Sequence, residues 1–415
     1  MPKDAGIEEI KAENRHGTNF SLFTLWFAAN LTLGDFALGF LPAYLNLPFD
    51  WSLAGLIIGT ALGGILLSVF SIMGPKTGKT QMLISEQTFK KYNFVQSLLQ
   101  WVNTLGWFVV NLILGTVAIV ILLPTLYILI LPLYAAVQII IAIYGHDYIH
   151  KIERLFSAFL GAMFLYITVQ ILLSSHVYNY SPVFSIAVFG IVIATSFSYI
   201  GSWAPYASDY SRYLPYTNER KKVFLFTFFG SFISTIWLEM LGLYIAIKTG
   251  NFNSMNAAYG LSKQLGVLMI IALVLGGIGT NSINIYSNAL SLNSILKKSN
   301  RVYLLIIAGI VGIILALIAY NRFFSYYETF LYIIDYWIMP WAGVLIADFF
   351  FVKKGLSAKA FASFLVGLAI SIPFMDQAPY FEGPISVSLG GIDISYFVSF
   401  IVSFAVYVLF SNRTK

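Results

Sequence analysis

The chain has no cysteine, only four histidines and little charge: Asp, Glu, Lys and Arg make up 10% of its 415 residues. Without cysteine, disulfides, thiolate metal centres and cysteine nucleophiles are excluded. The histidines, His16, His146, His150 and His176, fall in the N-terminal segment or between apolar runs. His146 and His150 stand at a ligand spacing, but no further ligand is near, so a metal site is not expected there. A soluble domain carries about 25% charged residues, so the shortage of charge excludes an ordinary globular surface. Linkers and low-complexity tracts are missing too, which leaves a single domain.

In place of charge there is apolar length. The chain is 59% hydrophobic, with a mean hydropathy of +0.81. Runs of about 20 apolar residues can cross a bilayer as helices. They recur over 21–47, 52–73, 94–119, 123–144, 154–174, 183–206, 222–247, 265–292, 302–320, 323–351, 359–374 and 394–411. Between the third and fourth, Pro124 and Pro132 are the clear punctuation. The expected fold class is therefore an all-α integral membrane protein of about twelve spans. Residues 1–20 form a polar cytoplasmic tail and 21–411 the transmembrane domain. The first fifteen residues are charged and the first run is long enough to span, so no cleaved leader is expected.

The net charge of +6 does not point to nucleic acid. With both termini inside, 21 of the 24 basic residues, Lys151 and Arg154 among them, lie in cytoplasmic segments, leaving Lys248, Lys263 and Arg322 outside. This split follows the positive-inside rule, so the basic excess encodes orientation in a cell membrane.

Two spans carry interruptions. The sixth contains Gly201-Ser-Trp-Ala-Pro205 and ends in Asp209 and Arg212; the first contains Trp26-Phe-Ala-Ala-Asn-Leu-Thr-Leu-Gly-Asp35. Glycine loosens a helix and proline removes a donor. Bare backbone at membrane depth is tolerated only where it is enclosed or lines a cavity. Paired broken helices at matching places in two halves mark a transporter site. Spans 1–5 and 6–10 thus read as inverted repeats, with 11 and 12 appended.

Four stretches, in order, give a specific resemblance: Gly74-Pro-Lys-Thr-Gly78, Gly106-Trp107, Ala207-Ser-Asp-Tyr-Ser-Arg-Tyr-Leu-Pro215 after Trp203-Ala-Pro, and Pro340-Trp-Ala-Gly-Val-Leu-Ile-Ala-Asp348. Together they resemble the first nucleobase:cation symporter family, the cytosine, purine, allantoin and hydantoin permeases. The resemblance implies a LeuT-type five-plus-five fold, alternating access, and import of a planar heterocycle driven by a cation gradient. It also implies that the ring lies between a third-span and a sixth-span aromatic, positions held here by Trp107 and Trp203. Stacking is worth about 1–3 kcal/mol per base and tolerates different bases. Selectivity then falls to polar groups: Asn111, four residues from Trp107 on the same face, with Asn30, Gly201, Ser202 and Asn284.

For the ion, the resemblance implies a sodium site between the first break, at Ala29 and Thr32, and the eighth span, at Gly276, Gly279 and Thr280. The sequence departs from the pattern there, because Gly279 stands where a second hydroxyl belongs; Asn281 or Ser282 could replace that ligand. Protons are the rival, since Asp35 and Glu239 are carboxylates inside apolar runs, and intramembrane carboxylates are functional candidates by default. Asp209 and Arg212 read either as an inner latch or as an anchor with capping charges. No cofactor beyond Na+ or H+ is expected, and the protein should act as a monomer on a small ligand within the bilayer. Other readings are an intramembrane enzyme, which lacks a nucleophile–base pair or ligand cluster at depth; a non-transporting sensor; or the same fold carrying an amino acid or a hydantoin, allantoin or vitamin-precursor ring.

Overall fold

The computed structural model describes residues 8–124, 126–174, 180–297, 299–377 and 380–412, apart from the side chains at 146, 150, 323–329, 331 and 332. His176, Lys3, Lys298, Arg413 and Lys415 lie outside the described residues. In lipid each backbone donor must find its partner within the chain, so the apolar runs become helices. Among the described residues eleven helices are long and apolar enough to span, and a bent pair brings the number to twelve. That pair is the first span, Asn19–Ala29 and Leu33–Tyr44, bent by 55°.

The other spans are Phe49–Thr77, Asn93–Val120, Tyr127–Tyr144, His146–Leu173, Ile186–Ser211, Arg220–Thr249, Gly266–Leu296, Arg301–Ala319, Phe323–Ile346 continued by a π-helical turn Ala347–Val352, Ser357–Ser371 and Ser395–Asn412. Pro124 sits in the gap between the third and fourth, whereas Pro132 lies inside the fourth helix and separates nothing. The fifth begins eight residues earlier than the hydropathy suggests and takes in Lys151, Glu153 and Arg154. A two-residue β-hairpin, Asp376–Gln377 with Phe381–Glu382, and a short helix Pro384–Ser388 cap the connection between the eleventh and twelfth.

Packing is organised in pairs. The first span lies on the seventh and the second on the sixth; the second also meets the seventh, and the third meets the eighth. These pairings map onto one another when each of spans 1–5 is exchanged with the span five later. The closest contacts use glycine. A Cβ on Gly39 would overlap the backbone of Glu239, and one on Gly242 the carbonyl of Phe36. Such near-contact of backbones is how helices pack where lipid supplies no hydrophobic drive.

The N-terminal segment is not free. Ile10 donates to the Gly78 carbonyl at 2.9 Å, Arg15 to the Pro75 and Ile10 carbonyls at 2.7 and 2.9 Å, and the Gly17 amide to Tyr213 at 3.0 Å. From residue 8 onward it is a strap that ties the Gly74–Gly78 turn to the end of the sixth span.

Candidate functional site

The break in the first span falls at Asn30–Thr32, between Ala29 and Leu33. Thr32 restarts the helix: its hydroxyl accepts from the amides of Gly34 and Asp35, and its carbonyl accepts from Phe36. The sixth span breaks after Gly201, passes through a 3₁₀ turn at Ala204–Tyr206 and resumes at Ala207–Ser211. The two breaks face each other. Trp203 Nε1 donates to Asn30 Oδ1 at 3.0 Å, and Asn30 Nδ2 donates to the Trp26 carbonyl at 2.8 Å. Ser202 donates to the Tyr199 carbonyl at 2.8 Å, which closes the turn that Gly201 begins.

Trp107 and Trp203 are both buried, at 6% and 7% exposure. The Trp107 ring meets Tyr199 and Phe330 edge-on, each at 5.4 Å, while Trp203 meets Trp26 and Tyr206 at 5.7 and 5.0 Å. Tyr199 stands one turn before Trp203 on the same span and so joins the two tryptophans' surroundings. Asn111 donates to the Trp107 carbonyl at 3.0 Å, which fixes its amide beside that ring. Asn284 accepts from the Tyr206 hydroxyl at 3.2 Å and donates to Asn281 Oδ1 at 3.1 Å. Asn281 in turn donates to Gln138 Oε1 and the Phe108 carbonyl, at 2.8 and 3.0 Å. A buried, largely satisfied polar network of this kind holds its members in one orientation.

Further along the eighth span the polar groups serve packing. Asn288 donates to Thr104 and to the Trp101 carbonyl on the third span, both at 2.8 Å, and Ser294 to Ser97 at 2.7 Å. Ser291 bonds its own helix at the Ser287 carbonyl.

Of the residues expected to hold a cation, Ala29 and Thr280 come together: the Thr280 hydroxyl points at the Ala29 carbonyl at 3.5 Å. No hydrogen bond ties Thr32 to them; its hydroxyl bonds Asp35 and Tyr199, and its carbonyl accepts from Phe36. Gly276 and Gly279 face the fifth span, where a Cβ on them would overlap Leu160 and Glu153 respectively. Asn281 and Ser282 turn toward Gln138, donating to its side-chain oxygen and its carbonyl at 2.8 and 3.4 Å.

The carboxylates are buried. Asp35 accepts from Thr32 at 2.7 Å, Tyr199 at 3.1 Å and Thr235 at 2.9 Å; Glu239 accepts from Thr60 at 2.7 Å. Asp209 and Arg212 do not close an ion pair with each other. Asp209 accepts from the Gln81 amide at 2.9 Å, while Arg212, fully buried, reaches the Glu8 carbonyl and the Tyr213 hydroxyl at 3.2 and 3.3 Å. Three apart on a short helix, the two side chains diverge to different neighbours. Arg212 is therefore buried rather than exposed, and in this structure it and Asp209 bond different neighbours.

Sequence reasoning passed over Tyr199, Tyr206, Gln138, Glu153 and Asp335. The two tyrosines were legible from their spacing around Trp203. Asp335 lies within the tenth span and bonds Ser198 of the sixth. Glu153 was hidden by Lys151 and Arg154 on either side, which read as a loop.

A protein-family model for permeases of cytosine/purines, uracil, thiamine and allantoin matches residues 9–358. A candidate purine-cytosine permease of Bacillus subtilis (strain 168), YxlA, is 29% identical over 99% of this chain and 96% of its own. The purine-cytosine permease fcyB of Emericella nidulans is 26% identical over 95% of this chain and 85% of its own. Among solved structures, Mhp1, a nucleobase-cation-symport-1 family transporter in a closed conformation with bromovinylhydantoin bound, superposes with a TM-score of 0.81 at 18% identity, over 98% of this chain and 94% of that one.

Proposed function

The chain belongs to the family of permeases for cytosine/purines, uracil, thiamine and allantoin, and from that premise we propose that it imports a nucleobase-like planar heterocycle by cation symport. It is a multi-pass membrane protein with the five-plus-five transporter fold. The observation that carries the reading is the Trp203–Asn30 bond, which sets the two broken spans face to face beside Trp107, Asn111 and Asn284. The broken helices are the groups that can change their relative position at the bilayer midplane. In this reading Trp107 and Trp203 sandwich the ring, and Asn111 and Asn284 read its donor and acceptor edge. Purine or cytosine rings fit the relatives best.

We read spans 1–5 and 6–10 as the two repeats and place both termini in the cytoplasm, on the positive-inside bias. The protein acts as a monomer, without nucleic-acid partners, and as a transporter rather than an enzyme. One charge crossing 100 mV supplies about 2.3 kcal/mol, roughly a fifty-fold concentration ratio, which suffices for scavenging.

Thermal unfolding of the purified protein with a panel of nucleobases, with and without sodium, tests ligand and ion together. A ligand at a hundred times its Kd should add about 2.7 kcal/mol to the stability of the bound state. A panel that leaves unfolding unchanged would count against the assignment.

Asp35 should matter to the cycle. Asparagine has one carbonyl oxygen where Asp35 offers two, so Asp35→Asn leaves hydroxyls among Thr32, Tyr199 and Thr235 without an acceptor, at about 1–3 kcal/mol each. Substrate accumulation in proteoliposomes, normalised to reconstituted protein, should fall well below wild type. Normal concentrative uptake would remove Asp35 from the mechanism.

A further inference from the structure

The third span carries a run of amides that has no part in the scheme above. Gln96, Gln100, Asn103 and Trp107 follow one another at steps of four, three and four residues, so they share one face of that helix. The stripe continues the face of the stacking residue away from the site, toward the helix start at Asn93. At 1.5 Å per residue it covers about 16 Å. The three amides are buried, at 0%, 0% and 1% exposure.

Their hydrogen bonding is incomplete. Among the described residues Gln96 has no partner for either amide atom, Gln100 none for its nitrogen and Asn103 none for its side-chain oxygen. The bond they do make is internal to the stripe: Asn103 Nδ2 donates to Gln100 Oε1 at 3.0 Å. A buried amide left unpaired is costly, and such a group in a folded protein calls for a reason. Helix packing does not supply it. The residues that hold the third span to the eighth lie on the adjoining strip, where Thr104 accepts from Asn288 and Ser97 from Ser294. Those pairs are closed, whereas none of the three amides bonds another span.

The chemistry of the stripe suits a planar heterocycle. Each amide has donors and an acceptor, the same equipment that Asn111 and Asn284 present beside the two tryptophans. A ring that leaves those residues has polar edges, which would otherwise cross a dry interior unpaired. Gln96, Gln100 and Asn103 repeat the equipment about once per helical turn on the way to Asn93. There Asn93 Nδ2 donates to the Met82 carbonyl at 3.0 Å, on the short helix Gln81–Phe89. This end also holds the N-terminal strap, and it is the cytoplasmic end in the orientation given above.

We propose that Gln96, Gln100 and Asn103 form an inner subsite that receives the heterocycle after it leaves Trp107 and Trp203 and passes it to the cytoplasm. This rests on the transport reading and adds the release path to it. The amides are unpaired while the helices are shut, and they gain the ring or water as partners when the cytoplasmic end opens.

The test uses the full-length protein, radiolabelled cytosine and adenine, and the variants Gln96→Leu and Gln100→Leu. An unpaired amide adds nothing to stability, and an apolar group of similar shape in its place is neutral or favourable. Both variants should therefore unfold at or above the wild-type temperature. Equilibrium binding to the solubilised protein should match wild type, because the stacking site is untouched. Counterflow in proteoliposomes should slow by about 3- to 10-fold, the equivalent of roughly one hydrogen bond lost from the passage. Gln100→Asn, which keeps an amide, should recover most of the rate. The absence of native cysteine gives a second readout. Gln96→Cys should react during turnover with a charged thiol reagent added from the cytoplasmic side, while Ser97→Cys, on the closed strip against Ser294, should not.

Unchanged counterflow in both leucine variants would overturn the proposal. A lower unfolding temperature would do so too, by giving the amides a part in holding the fold, and weaker equilibrium binding would place them in the stacking site itself. No labelling at Gln96→Cys, or equal labelling at the two cysteine positions, removes the path even if the leucine variants fail to fold. If the wild type shows no counterflow of either base, the transport reading fails, and this subsite with it.

Discussion

Trp107→Ala is expected to weaken nucleobase binding by about 5- to 150-fold, the range that the loss of one stacking platform of about 1–3 kcal/mol gives. The side chain is buried on the third span, held edge-on by Tyr199 and Phe330, and its backbone carbonyl carries the Asn111 amide. Asn111 stays in place when the indole is removed, because its bond is to backbone, so hydrogen bonding to the ring should survive and selectivity change less than affinity. The measurement is equilibrium binding of labelled base to the purified protein. Trp51→Ala serves as control, since Trp51 is 46% exposed near the start of the second span. Equal affinity in wild type and Trp107→Ala would move the stacking surface elsewhere.

Gly39→Ala should have the largest effect on folding. A Cβ at Gly39 would run into the backbone of Glu239, and the opposing Gly242 already lies against Phe36 and Gly39. Neither helix can yield a side chain, because the atoms in conflict are backbone. Overpacking of this kind costs about 1–3 kcal/mol and occasionally more. The spans would have to separate, and with them the Asp35–Thr235 and Glu239–Thr60 bonds would stretch. The unfolding temperature of the solubilised protein should fall clearly, while Gly260→Ala, where a Cβ meets nothing within 4 Å, should leave it close to wild type. An unchanged unfolding temperature for Gly39→Ala would mean that the two helices are not in backbone contact.

Much of this was legible in the residues. Hydropathy located all twelve spans, because an apolar run of fixed length is a direct reading of bilayer thickness. The two breaks were legible from Gly201, Pro205 and the polar stretch around Asn30. What failed was the assignment of charged residues at span ends. Lys151 and Arg154 made Glu153 look like loop, although a helix places its residues on different faces and one of three neighbours can turn inward. Arg212 was counted as a surface charge for the same reason. Hydropathy averages around the helix axis, and only packing separates the faces. The Asp209–Arg212 pair illustrates a related limit. Proximity along the chain predicts attraction, yet Gln81 and the N-terminal strap offer each residue a better-placed partner.

The glycine contacts between the first and seventh spans, and those of Gly59 and Gly63 on the second span against the Ile193 and Phe197 carbonyls of the sixth, have a mechanical consequence. Helices joined at backbone distance turn as a block, whereas the third, fifth and eighth spans carry Trp107, Glu153, Asn284 and Thr280 on a separate frame. On the proposed reading, a ring held between Trp107 and Trp203 would touch both blocks and act as the rivet that lets them rock together. A heterocycle with a bulky substituent could still seat on one indole while wedging the blocks apart. Such a molecule would compete for the site without being carried, and would arrest the protein on the side from which it entered.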